Sequence, residues 1–128
     1  MSVYYKKDID NLKKIINNYE IHDSLITYWK YDDERRRFLV QTFNSIFEKG
    51  YLFVFSDVDS IIYNKGNEVG ERKTIVSFSV DEFNDSCTQR ETFVKQDDEK
   101  MTFCFEMLSG DELYITAQNI SLEGFQVA

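Results

Sequence analysis

Apolar and polar residues alternate with period two along most of this chain, and they switch to a helical spacing in one place. Near the start, Ile9, Leu12, Ile15, Ile16 and Tyr19 recur at the three-four spacing of one helical face, with Lys13, Lys14, Asn17 and Asn18 on the other. This predicts a helix over residues 8 to 19, with Asp8 as its N-cap. From Ser24 to Tyr31 the period becomes two: Leu25, Thr27, Trp29 and Tyr31 fall on one side, Ile26 and Tyr28 on the other. Asp32, Asp33 and Glu34 supply a turn. Arg36 to Phe47 then returns as a second strand, and the two make a hairpin.

The most apolar, strand-prone stretch follows the turn Glu48-Lys49-Gly50. It is Tyr51 to Val58, with Tyr51, Phe53 and Phe55 on one face and Leu52, Val54 and Val58 on the other. A run apolar on both sides reads as a central strand with both faces covered. Asn64-Lys65-Gly66-Asn67 and Gly70 mark an exposed connection, and strand character resumes over Thr74 to Val80. Between Asp81 and Lys100 the pattern dissolves into polar and acidic residues around Phe83 and Phe93. Met101 to Leu108 and Glu112 to Ile120 are two last strands about the tight turn Ser109-Gly110-Asp111. The predicted architecture is a single α+β domain over residues 1 to 128. One N-terminal helix packs on a predominantly antiparallel sheet of about six strands, which can curl toward a barrel. Expected in the core are Leu25 or Ile26, Phe38 or Leu39, Phe53, Val54, Phe55, Val76, Phe103, Phe105 and Ile115.

Composition narrows the function. A length of 128 residues suits one domain. The 11 Phe, 8 Tyr and 1 Trp give a β-rich core its material and leave aromatic side chains over for the surface. No apolar segment approaches the ~18 residues that would span a bilayer, and the N-terminus lacks a signal-like apolar run. The expected location is therefore cytoplasmic with no membrane partner, and Cys87 and Cys104 fit it as free thiols. A net charge of −8 speaks against nucleic acid, whose phosphates call for a basic stripe, and in favour of a basic protein as partner. Seven acids lie between Asp81 and Glu99 against Arg90 and Lys95. Such a run is most simply a solvated, solubilising face, and Asp97, Asp98 and Glu99 are its candidate contribution to an interface.

No catalytic, cofactor-binding or metal-ligating residue is assigned. Asp57 and Asp59 after the apolar strand resemble the Asp-x-Asp opening of haloacid-dehalogenase-type phosphohydrolases. Those enzymes need a parallel sheet with crossover helices, whereas the residues that follow here are turn and strand signals. The reading favoured for the two acids is a strand end turning into solvent. His22-Asp23-Ser24 contains the residue types of a hydrolase triad, but contiguous side chains on an extended chain diverge, so a turn between helix and first strand is expected. One His and two distant Cys do not make a zinc set. Arg35, Arg36 and Arg37 beside the acidic turn are read as local charge neutralisation rather than a phosphate grip.

Three segments carry a resemblance. Ile21-His22-Asp23-Ser24-Leu25-Ile26, Phe53-x-Phe55-x-Asp57-Val58 and Phe103-x-Phe105-x-Met107-Leu108-x-Gly110-x-Glu112-Leu113-x-Ile115, in that order, resemble a widespread group of small uncharacterised bacterial proteins. These carry a His-Asp-(Ser or Ala) entry followed by an all-antiparallel sheet, and some are similar to immunity proteins of bacterial toxin systems. The long acidic span departs from that group. The resemblance implies the fold, and with it a non-catalytic interaction module, an inhibitor of a basic protein such as a toxin. The alternative is a ligand-binding or enzymatic barrel in which Tyr28, Trp29 and Tyr31 line a pocket; in the first reading the same three aromatics anchor a partner.

Overall fold

The computed structural model describes residues 2–18, 21–66, 74–82 and 99–126. Its elements run in chain order: β1 (Val3–Tyr5), a 3-10 turn (Lys6–Asp8), α1 (Ile9–Asn18), β2 (Leu25–Asp32), β3 (Arg37–Asn44), β4 (Lys49–Asn64), β5 (Ile75–Glu82), β6 (Met101–Met107) and β7 (Glu112–Gln126). All strand pairs are antiparallel, in the order β2-β3-β4-β7-β6-β5, with β1 also on β7. The α+β reading and its helix hold, with seven strands in place of six. The added strand is β1, where Val3, Tyr4 and Tyr5 pair with Ser121, Ile120 and Asn119.

Asp8 ends the 3-10 turn, and its carboxylate accepts the Tyr5 backbone N–H at 3.0 Å; it therefore holds the entry to α1 one element earlier than a simple N-cap would. Ile9, Leu12 and Ile16 are buried, and α1 packs chiefly against β5. The expected last helical residue, Tyr19, lies outside the described residues.

The β4 and β7 strands pair along their whole length, from Lys49 with Gln126 to Asn64 with Glu112. Phe53 and Phe55 are fully buried among Phe38, Phe78, Phe103 and Phe105, with the closest ring centroids 4.2 Å (Phe78 and Phe105) and 4.9 Å (Phe55 and Phe103) apart. Val58 departs from the expected alternation and joins this same cluster. Asp57, at φ 52°, breaks the period of two, so the strand bends and its next apolar residue turns back inward. Val54 and Leu52 are half-buried on the opposite side, so the central strand is sealed on one face and only partly covered on the other.

Other expected faces shift for the same reason. A bulge between Ile26 and Tyr28 puts Ile26 in the core, on the same side as half-buried Trp29 and exposed Tyr31, while Leu25 is exposed. A second irregularity between Ile75 and Ser77 buries Ile75 and leaves Val76 outside, against expectation. Phe38, Phe103, Phe105 and Ile115 are buried as expected. The turns before β3 and β4 end on left-handed residues, Arg36 at φ 51° and Glu48 at φ 53°; β3 begins at Arg37, just after its expected start, whereas β4 already begins at Lys49, ahead of the expected Tyr51. The Ser109-Gly110-Asp111 turn has the expected form, with Gly110 at φ 87° and its N–H bonded to the Met107 carbonyl at 2.9 Å.

The sheet is not a closed barrel. Its edges, β2 and β5, meet at one end through the isolated bridge between Leu25 and Thr74.

Candidate functional site

The residues singled out for recognition are separated by the fold. Asp97 and Asp98 lie outside the described residues. Glu99 is exposed at the entry to β6. Tyr28, Trp29 and Tyr31 sit on β2, and the sheet order places β3, β4 and β7 between them and β6.

The three aromatic residues also divide between faces. Residues opposite each other in a ladder share a face, so Trp29 (opposite Val40) and Tyr31 (opposite Phe38) lean over the core side, while Tyr28 (opposite Gln41) points the other way. Trp29 is half-buried and meets the Tyr63 ring edge-on at 5.6 Å. Tyr63 is fixed in turn: its hydroxyl donates to Asp111, whose other oxygen accepts the Gly66 N–H at 2.6 Å. Burial, followed by that bond, pushes the Tyr63 phenol up to about 12, and the same bond lowers the Asp111 carboxyl. This group staples the end of β4 to the β6–β7 turn.

The surface most open to a partner is the face opposite the phenylalanines. Tyr28 is 49% exposed, and along the register it adjoins Gln41 and Leu52, with Leu39, Val54 and Phe43 half-buried beside them. The sequence pattern contains this row as the second half of the alternation in Tyr51 to Val58, there read as a covered face. Two shallow cavities flank it, about 250 Å³ lined by Lys49, Gly50, Tyr51, Gly124 and Phe125, and about 230 Å³ lined by Ile26, Thr27, Tyr28 and Trp29. Neither gathers the convergent acids, bases or nucleophiles of an active site.

The remaining chemical candidates resolve into structural roles. Asp57 and Asp59 lie within β4 rather than at its end: Asp57 accepts from Asn119 Nδ2 at 3.5 Å and Asp59 pairs with Lys100 at 3.1 Å. All-antiparallel pairing removes the framework a dehalogenase-type site would need. Arg35 lies 3.9 Å from Asp32, and Arg36 donates to the Val58 carbonyl at 3.1 Å, so two of the three arginines are engaged locally.

His22 and Asp23 do meet, His22 Nδ1 lying 3.0 Å from Asp23 Oδ2, because Asp23 is left-handed at φ 67°. Ser24 is fully buried, whereas His22 and Asp23 are exposed. The corner is a turn as expected, but backbone carbonyls of Ile75 and Ile21 accept the N–H groups of Asp23 and Ser24.

One grouping escaped sequence reasoning. Cys104 Sγ and carboxylate oxygens of Glu106 and Glu112 lie within 4.8 Å of one another. The pairings Cys104 with Tyr114 and Glu106 with Glu112 bring them together, and only the register, not local spacing, could have revealed this. These are atoms able to ligate a cation. Burial pushes the Cys104 thiol up to about 11, and Tyr114 donates to Glu112 at 2.6 Å, so at neutral pH the thiol is protonated and one carboxylate is engaged. No helix among the described residues is long and apolar enough to cross a membrane. No protein-family model, curated protein or solved structure matches the chain.

Proposed function

We propose that this chain is a non-catalytic protein-interaction module that binds a basic protein, in the manner of an immunity-type inhibitor of a toxin. The observation that carries the proposal is the filled interior. The core side of the sheet, where a ligand-binding barrel would keep its pocket, is packed with Phe38, Phe53, Phe55, Phe78, Phe103 and Phe105. What is left for recognition is surface: Tyr28 with Leu39, Leu52 and Val54 as an apolar centre on the opposite face, under a net charge of −8 that favours encounter with a positive partner. The immunity-type form rests on the resemblance carried by the His-Asp-Ser entry and the two Phe-x-Phe segments.

The test is binding to the product of the neighbouring gene, measured as association and dissociation rates at low and high salt. Neutralising Asp97, Asp98 and Glu99 to Asn, Asn and Gln should slow association at low salt and leave dissociation nearly unchanged, because peripheral charges act on encounter. Tyr28→Ala with Leu52→Ala should instead speed dissociation, as loss of an anchor does, by roughly tenfold or more. A partner that binds all these variants as it binds the parent removes both the surface and the charge from the explanation.

A further inference from the structure

The His22-Asp23-Ser24 corner takes no part in the proposed recognition surface, yet it is where the two edges of the sheet meet. Asp23 N–H donates to the Ile75 carbonyl at 2.9 Å, and Ile75 N–H donates to the Ser24 carbonyl at 2.8 Å. The ladder registers show what these two bonds accomplish. From Leu25 one can step to Phe43 and then Gly50, reaching the start of β4. From Ile75 one can step to Met107 at the end of β6, then by Glu106 to Glu112 and Asn64, reaching the far end of β4. Every other junction on this circuit is a ladder of six or more residue pairs. The corner is the one junction, among the described residues, made by a single bridge.

The corner is also built for one conformation. Asp23 is left-handed at φ 67°, a state Asp and Asn tolerate better than other residues with a Cβ. Its carboxylate lies 3.0 Å from His22 Nδ1, and the His22 carbonyl accepts from Asn44 Nδ2 at 3.3 Å, which ties the corner to the end of β3. Asn44 is itself buried, and its Oδ1 holds the N–H groups of Ile46 and Phe47. Ser24 is fully buried beneath. On the other side of the junction, α1 rests on β5.

We propose that the His22-Asp23-Ser24 corner is a clasp that joins the β2 and β5 edges around the phenylalanine core, and that the molecule opens first here, with β5 and α1 moving away from β2 while the β3-β4-β7 ladders stay paired. A junction made by a single bridge beside exposed His22 and Asp23, where every other junction on the circuit is a ladder, marks the low-stability end of a fold, where local opening precedes global unfolding.

Native-state hydrogen exchange tests this on the full chain. The Asp23 and Ile75 amides should exchange together, at least tenfold faster than those of Phe55 and Ile120 after correction for intrinsic rates, and with weaker dependence on denaturant. Asp23→Ala, which places an ordinary side chain in the left-handed conformation, should speed exchange at Ile75 by roughly 5- to 30-fold, corresponding to the ~1 to 2 kcal/mol cost of that conformation, and speed the globally exchanging Phe55 and Ile120 by the same factor, since the strain is relieved in every state that opens the corner. Asp23→Asn should restore the parent rate at Ile75. If Asp23 and Ile75 exchange only with the global rate and denaturant dependence of Phe55, or if Asp23→Ala leaves the Ile75 rate unchanged, the clasp is not a separate opening unit and the proposal is wrong.

Discussion

Phe55→Ala is the sharpest test of the core assignment. Phe55 is fully buried, with Phe103 at 4.9 Å, Phe105 at 6.3 Å, Phe38 at 6.4 Å and Phe53 at 6.5 Å between ring centroids. Truncation of a buried Phe costs about 3 to 5 kcal/mol from lost transfer energy and the cavity left behind. Aromatic pairs add about 0.5 to 1.5 kcal/mol each beyond area, so the upper half of that range is expected. A domain of this size has about 5 to 15 kcal/mol to lose. With a urea slope of about 2 kcal/mol per molar, the midpoint should fall by about 2 M at unchanged slope. Val54→Ala supplies the control: the neighbouring side chain is half-buried on the opposite face, and its loss should cost less than about 1.5 kcal/mol. Equal effects of the two substitutions, or a Phe55→Ala cost below about 1 kcal/mol, would refute the one-sided packing.

Four further outcomes follow from individual contacts. Thr42 is fully buried and its Oγ1 has no hydrogen-bond partner among the described residues, so Thr42→Val should stabilise by about 1 kcal/mol in urea titration, since an unsatisfied buried hydroxyl is a standing cost. Asp57→Gly should be tolerated at φ 52° while Asp57→Val should cost about 1 to 2 kcal/mol; the reverse order would show that the side chain, not the bend, matters. Tyr63, whose ordinary value is 10.0, is raised to about 12, so its contribution to stability is intact below pH ~10 and is lost as pH rises through 12. Tyr63→Phe should therefore remove one late-titrating phenol from the ultraviolet titration. In a Cys87→Ser background, Cys104 should be alkylated slowly at pH 7 by a neutral reagent, because it is buried and raised to about 11; rapid labelling would show the β6–β7 face is open.

The parts of the fold legible in sequence were those with a sustained period. The helix stripe Ile9, Leu12 and Ile16 and six of the strands follow directly from it. What escaped was non-local. Val3–Tyr5 is a strand only because Asn119 to Ser121 lies beside it, and three residues carry no period of their own. Left-handed Asp57 reverses which face Val58 takes, and the irregularity after Ile75 does the same to Val76, because one displaced residue exchanges every side chain beyond it. For the candidate site, Tyr28 and Tyr31 are exposed and Trp29 is half-buried, and their division between faces depends on the bulge at Thr27, whose hydroxyl donates to the Gln41 carbonyl at 3.2 Å. The cluster of Cys104, Glu106 and Glu112 needed the register of β6 on β7.

The β4–β7 ladder also sets when this chain can fold. Its partners stand far apart in the sequence, Lys49 with Gln126 and Asn64 with Glu112, so its formation waits for a long loop to close, and folding should belong to the slower, topology-limited class. The β2-β3-β4 meander can form early from local contacts, but until β7 arrives its Phe53 and Phe55 have no neighbour on one side. On a ribosome that interval lasts as long as synthesis of everything between the end of β4 at Asn64 and the end of β7 at Gln126. With no proline in the chain, prolyl isomerisation adds nothing to the delay. Losses to aggregation should therefore track the time between emergence of residue 64 and residue 126.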